Sequence, residues 1–337
     1  MPAVQKHFEE FHSRIKLDNN DEKAKLREKR DTLINALKEK LDPSVPSFEK
    51  FDQGSYSMDT GMLPLDLNYD IDVGLIFDCK RDKYADPVDL KKKVRDALNS
   101  NGRTVTIRRS CVTVNYMRDG KPEYHVDLAI YAKRDDNNLD LAKGKENSGK
   151  EFRFWETSDP KGLTDKICGA FKEANELGQY RRCIRYLKRW RDVQFANGGA
   201  PISIALTVAA LNWFRPRFET SGNPADLKAM LDWVNAILAS FTNQYTDEDG
   251  WHQRLSIALP VPPSNDLLAG MTNIQMQTFK DKLETLRDSL SEALYEDLPE
   301  DACKKLNKQF GDDFPIPEKA DTAKAVSAPV ISTGNAA

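Results

Sequence analysis

Residues 53–78 read QGSYSMDTGMLPLDLNYDIDVGLIFD. Within this stretch Ile71, Val73, Leu75 and Phe77 alternate with Asp70, Asp72, Gly74 and Ile76. Period-two alternation is the pattern of a half-buried strand, on which side chains two apart share a face. Asp70 and Asp72 therefore project together, away from Ile71 and Val73. Adjacent carboxylates repel unless a cation lies between them. An all-oxygen ligand set suits a hard ion, Mg²⁺ above all. Upstream, Gly54-Ser55 turns the chain from a β-rich run (Pro46–Gln53) into a short helical piece. Such a turn offers backbone N–H groups and a hydroxyl to a phosphate. Singly, the Asp pair reads as a solvated strand face and Gly-Ser as an ordinary turn. Together, with Asp70 fifteen residues after Ser55, they supply what a metal-bound nucleoside triphosphate needs.

Outward from this stretch, the chain reads as a mixed α/β half followed by a helical half. Val4, Phe8, Phe11 and Ile15 fall about a helical turn apart, predicting an amphipathic helix over residues 3–17. A long charged helix follows from about Asp21 to Leu41, opened by Asn20-Asp21, lying across the protein and ended by Asp42-Pro43. Pro87 starts another helix, which ends near Asn101-Gly102. Thr104–Arg109 and Cys111–Met117 read as strands, and Asp119-Gly120 as a hairpin turn into Glu123–Ala132. On that last strand Tyr124, Val126, Leu128 and Ile130 take one face, and His125, Asp127 and Ala129 the other. Asp127 is a third strand carboxylate, equally readable as an exposed strand residue.

Residues 133–150 read as a polar loop, and Phe152, Phe154 and Trp155 as an apolar patch that must dock. Helices are expected over about 160–176, 179–195, 201–215, 224–242, 272–294 and 298–309. The resulting division is a core at 1–157 that includes the N-terminal helices, a helical domain at 158–314, and a disordered tail at 315–337, rich in Ala, Ser, Thr and Pro.

Composition narrows the function classes. With 50 Lys+Arg against 53 Asp+Glu, the chain lacks the basic excess of a protein that coats nucleic acid, and no stable nucleic-acid partner is expected. Its five cysteines are scattered without a CxxC pair, which argues against a zinc site or a disulfide framework. The polar N-terminus carries no signal-peptide pattern. The longest apolar run, Pro201–Phe214, is too short to span a bilayer. A cytoplasmic protein without membrane contact is expected.

Tyr180–Asp192, YRRCIRYLKRWRD, pairs an apolar stripe with basic residues. Arg181, Arg185 and Lys188 share a helical face by spacing. Most of these cations read as a solvated basic face, with one or two reaching polyphosphate. Ser203 lies in the first turn of the next helix, after Pro201, where a hydroxyl either meets an anion or caps and packs.

In order, QGSYSMDT, YDIDVGLIF and HVDLAIYA, supported by WETSDPKGL and IRYLKRWRD, resemble the bacterial cGAS/DncV-like nucleotidyltransferases of CBASS anti-phage systems, within the polymerase-β-like superfamily. The resemblance spans roughly residues 45–290. It implies an α+β fold: a mixed sheet with flanking helices, a C-terminal helical domain and a long N-terminal helix across both. It places a metal triad on Asp70, Asp72 and Asp127, holding two Mg²⁺ ions, and the triphosphate at Gly54 and Ser55, supported by Lys188 and Ser203. Tyr56 and Met58 stand where the family often carries a base-stacking aromatic, and Pro260–Met271 is the place to look for a base contact.

The activity implied is the joining of NTPs (ATP, GTP or both) into a cyclic di- or trinucleotide with loss of pyrophosphate. An effector protein activated by that product is implied too; for the C-terminal tail, conjugation by an accessory enzyme, as in some systems of the family, stands beside an inert disordered end. Rival outputs of the superfamily are a linear oligonucleotide synthase, a tRNA-end synthase and a protein-AMP-transferring toxin; a catalytically dead nucleotide-binding scaffold is the non-enzymatic alternative.

Overall fold

The computed structural model describes residues 4–17, 21–66, 69–99, 103–118, 121–246 and 250–318. Asn20, Asn101-Gly102, the Asp119-Gly120 turn and the tail from residue 319 onward, to which several expectations above refer, lie outside these residues. Among those described, seven strands form one mixed sheet. They are β1 (Phe48–Asp52), β2 (Tyr69–Phe77), β3 (Arg103–Ile107), β4 (Val112–Arg118), β5 (Lys121–Lys133), β6 (Leu139–Lys143) and β7 (Phe154–Ser158). The order is β1-β2-β5-β4-β3, with β6 and β7 continuing from β5. β2 and β5 pair in parallel and the other pairs are antiparallel.

The alternation in β2 does what its period requires. Ile71, Val73, Leu75 and Phe77 are buried, joined by Val126, Leu128 and Ile130 of β5. Against them pack α2 (Asp21–Lys40), through Leu26, Leu33, Ile34 and Leu37, and α4 (Pro87–Leu98), through Leu90, Val94 and Leu98. Asp86 caps α4 by accepting from the Val88 amide at 2.9 Å, with Pro87 in the first turn. The opposite sheet face is apolar only toward the far end of β2, where Ile76, Ala129, Tyr131 and Leu141 cluster with Phe51. Gly74 makes that possible, since a Cβ there would lie 2.1 Å from the Phe51 ring. Near the start of β2 the same face carries Asp70 and Asp72.

The helical half comprises α5 (Pro160–Cys168), α6 (Ala174–Gln194), α7 (Ser203–Trp213), α8 (Asp226–Ala239), α9 (Asn273–Tyr295) and α10 (Pro299–Phe310). One apolar cluster unites them around Tyr180, Tyr186, Leu187 and Trp190 of α6. The N-terminal segment reaches both halves through two helices. While α2 covers the sheet, α1 (Gln5–Ile15) buries Phe8 and Phe11 against Tyr186, Phe310 and Phe314 of the helical half.

Two strand features differ from the sequence reading. The polar stretch 133–150 contains β6, whose Asp140 is buried because Arg134 pairs with it at 3.0 Å and also donates to Thr157. The helical half includes a hairpin, β8 (Thr242–Thr246) with β9 (Gly250–Arg254). Its alternation is too polar to announce a strand. Among the described residues no helix is long and apolar enough to cross a membrane.

Candidate active site

A cleft of about 480 Å³ lies where the Asp-bearing face of β2 meets α5, α6 and α7. On one side it is lined by Gln53, Gly54, Ser55, Asp70, Asp72 and Tyr131. Lys188, Arg191 and Asp192 of α6 and Ser203, Ile204 and Thr207 of α7 line the other. The structure thus brings together six of the seven residues expected to form the site. The seventh, Asp127, stands beside Asp72 in the parallel β2–β5 register but does not line the cleft.

Local geometry explains why Gly54 precedes Ser55. Gly54 opens the four-residue helix α3 (Gly54–Ser57) at φ +69°. A Cβ at this position would stand 2.0 Å from Asp72 Oδ2. Only glycine combines that backbone with so close an approach to a carboxylate. The Gln53 amide donates to the Asp72 carbonyl at 3.2 Å, tying the turn to β2. The Tyr131 hydroxyl donates to Gln53 Oε1 at 3.0 Å from the adjoining strand.

Burial, with carboxylate repulsion behind it, raises the proton affinity of Asp70 and Asp72. Burial, followed by repulsion from Asp70 and Asp127, pushes Asp72 up to about 7. Asp70 is also raised. Burial by the cleft walls outweighs the favourable fields of His125 and Lys188, and Asp127 adds repulsion. Its side chain still carries accessible surface because it faces the open cleft. Asp127 Oδ1 accepts from Thr113 Oγ1 at 2.6 Å, which fixes its orientation on the sheet. Among the described residues, no three His, Cys, Asp or Glu side chains are already gathered into a cation cage. What the strands present is a cluster of hard carboxylate oxygens, which fits a divalent cation by charge and by ligand type.

On the helical wall the structure corrects one expectation: most of the α6 cations are not a solvated face. Arg182 pairs with buried Asp226 at 2.9 Å, Arg189 pairs with Asp313 at 3.2 Å, and Arg185 is buried. Spacing gives their shared face but not the segments that cover it. Lys188 donates to Thr60 Oγ1 and to the Thr60 carbonyl at 3.2 and 3.3 Å. Burial first, then Arg185 and Arg191, lowers its pKa to about 7. Arg191 and Asp192 were not singled out from the sequence. They form an ion pair at 2.9 Å in the cleft wall, and Arg191 also donates to the Pro201 carbonyl at 2.7 Å, close to Ser203. They close the IRYLKRWRD motif, but spacing does not set them apart from its buried cations; the α6–α7 packing brings them into the site. Of the two candidates for base stacking, Met58 lines the cleft and is buried. Tyr56 turns instead to Arg27 of α2, which donates to its hydroxyl and lies over its ring at 5.6 Å.

The sequence pattern described as "Cyclic GMP-AMP synthase DncV-like, nucleotidyltransferase domain" matches residues 48–131, and that described as "Cyclic GMP-AMP synthase, C-terminal domain" matches residues 178–320. The chain belongs to the cGAS/DncV-like nucleotidyltransferases. The two matches take in Gly54 through Asp127 on the sheet side and Lys188 and Ser203 on the helical side. A cyclic GMP-AMP synthase of Escherichia albertii is 30% identical over 182 residues, which is 51% of this chain and 38% of that protein. The chain spans half or less of the length of the curated relatives it matches. In fold, this DncV-like chain is similar to the Bradyrhizobium diazoefficiens CD-NTase CdnG in complex with GTP. That structure has a TM-score of 0.68 at 16% identity, covering 92% of this chain and 96% of that one. It is also similar to Escherichia coli MS115-1 CdnC with ATP, with a TM-score of 0.64 at 17% identity, covering 92% and 98%.

Proposed function

We propose that this chain is a Mg²⁺-dependent nucleotidyltransferase that joins NTPs into a cyclic di- or trinucleotide messenger of anti-phage signalling, releasing pyrophosphate. One observation carries the reading: Gly54-Ser55 packs directly on the Asp72 carboxylate, across a cleft from Lys188 and Ser203. A phosphate site and a metal site then share one wall, as a metal–triphosphate requires. The domain assignment that goes with it is a core at 1–157, a helical domain at 158–314 and a tail at 315–337. The relatives' GTP and ATP complexes support purine nucleotides as substrates.

In this reading Asp70, Asp72 and Asp127 hold two Mg²⁺ ions, which when bound neutralise phosphate charge and acidify the acceptor ribose hydroxyl. The Ser55 hydroxyl and backbone hold the terminal phosphates from the sheet side. Lys188 Nζ and Ser203 Oγ donate to the same phosphates from the helical side. Phosphate charge restores the full protonation of Lys188 that burial opposes. Asp127, oriented by Thr113, accepts the proton of the acceptor ribose hydroxyl as its oxygen bonds to the α-phosphate and pyrophosphate leaves. The remaining contribution of the chain is alignment and exclusion of water.

The proposed setting is the cytoplasm, where NTPs are available. The proposed partners are a product-activated effector and an accessory enzyme that conjugates the C-terminal tail. If the tail is conjugated, a tag that blocks the protein's terminal carboxylate removes a conjugate visible by mass spectrometry. An unmodified native tail in cells carrying the accessory genes rejects that part. The activity itself is tested by incubating the protein with the four NTPs and Mg²⁺ and resolving the products by chromatography and mass spectrometry. A cyclic product with pyrophosphate is expected. Linear oligomers alone would replace ring closure with the simpler output, and no nucleotide transfer would overturn the reading.

A further inference from the structure

The segment that leaves α3 is held unusually hard. Asp59 adopts φ +50°, a strained backbone for a non-glycine residue. Buried Arg185 of α6 grips this residue twice, donating from Nη2 to its carbonyl at 2.5 Å and to its Oδ1 at 3.1 Å. The same guanidinium donates from Nε to the Gly61 carbonyl at 3.0 Å. Its Nη1 lies 3.3 Å from His12 Nε2 on α1. Burial and the nearby arginines lower the His12 pKa to about 4, so the neutral ring accepts from Arg185. Arg181 adds a second cation at 3.4 Å from Asp59 Oδ2. Between the two anchored residues sits Thr60, whose amide donates to the Ser55 carbonyl at 2.9 Å and whose oxygens receive Lys188.

We propose that Asp59 and Arg185 are positioning residues that set the spacing between the two phosphate-binding walls of the cleft, through Thr60. Ser55 and Lys188 lie on separate elements, 133 positions apart in sequence, and Thr60 hydrogen-bonds to both. Fixing residues 59–61 to α6 therefore fixes where both donors meet a triphosphate. Misplacing such groups weakens binding before it affects the bond being made. The inference rests on the nucleotide reading of the cleft given above.

Asp59 is the position to test, because its side chain is accessible and its backbone suits glycine. Asp59→Gly keeps the left-handed backbone while removing both ion pairs. Asp59→Asn keeps that backbone and an Oδ1 acceptor for Arg185. With the full chain, Mg²⁺ and a non-hydrolysable GTP or ATP analogue, calorimetry should show Asp59→Gly binding about fivefold more weakly. Asp59→Asn should recover most of the loss. In steady state the glycine variant raises KM and leaves kcat near wild type, a split that a general loss of stability does not produce. Hydrogen exchange without nucleotide should show faster exchange at the Thr60 amide in Asp59→Gly than in Asp59→Asn. Wild-type binding with unchanged affinity and Thr60 exchange in Asp59→Gly would overturn the positioning role. Absence of nucleotide binding by the wild-type protein would instead overturn the nucleotide reading, and the proposal with it.

Discussion

The two walls of the cleft were built by different rules. On the sheet wall, Asp70 and Asp72 reach the site because β2 alternates, and Asp127 stands beside Asp72 because β2 and β5 pair in register. On the helical wall, α6 carries a cluster of cations whose periodicity does not separate them. Arg182 is consumed by Asp226 and Arg185 by the 59–61 segment, while Lys188 and Arg191 line the cleft. Strand alternation therefore suffices to bring Asp70 and Asp72 to the cleft, whereas a helical cation takes its place from what packs over it.

If the sheet wall carries the chemistry, its removal has the largest consequence. Asp70→Asn, Asp72→Asn or Asp127→Asn should lower the rate of product formation by about 10³-fold or more, with the fold retained by circular dichroism. Near-wild-type turnover in Asp127→Asn would remove that residue from the metal set, a sharp question because it does not line the cleft. Gly54→Ala comes next. Its Cβ would collide with Asp72 while the backbone stays left-handed, costing about 1–3 kcal/mol in denaturant unfolding and most of the activity. An alanine variant of wild-type stability and rate would show that the turn is not held against the carboxylate.

The phosphate-holding groups, one on each wall, predict a different signature. Ser55→Ala and Lys188→Ala should raise KM for NTP about tenfold with a smaller change in kcat, since both groups meet phosphates distant from the bond formed. If kcat falls and KM stays fixed, these groups act on the transition state instead.

The smallest effect concerns stability and sharpens the charge argument. Because the folded protein raises the Asp72 pKa to about 7, the native state binds more protons than the unfolded chain from the ordinary carboxylate range up to that value. Stability from this group is present at low pH and is lost as pH rises toward about 7. Metal-free Asp72→Asn should thus exceed wild type in stability by about 2 kcal/mol at pH 8, a figure discounted for cleft solvent. The gap should shrink toward pH 5 in thermal melts without Mg²⁺. A gap that is constant with pH would mean that burial and the neighbouring carboxylates do not raise Asp72.

The alternation of β2 and β5 and the Gly54-Ser55 turn made the sheet wall readable from sequence, because backbone period alone decides those positions. The helices were found for the same reason, although α5 stops at Cys168 before Gly169 and α8 at Ala239 before β8. What escaped depends on tertiary partners. Asp140 looked like loop polarity until Arg134 covered it. Arg185 looked solvated until residues 59–61 closed over it. Arg191 and Asp192 entered the cleft only through the packing of α6 on α7. Charged residues carry no mark in the sequence that tells a buried pair from a solvated one.

The central claim is that one metal–triphosphate bridges the two walls. Crystals grown with Mn²⁺ and a non-hydrolysable NTP test it directly through anomalous scattering. The account predicts manganese peaks coordinated by Asp70, Asp72 and Asp127, with the terminal phosphates between Ser55 on one side and Lys188 and Ser203 on the other. Manganese bound away from these carboxylates, or a triphosphate lodged outside this cleft, would contradict it.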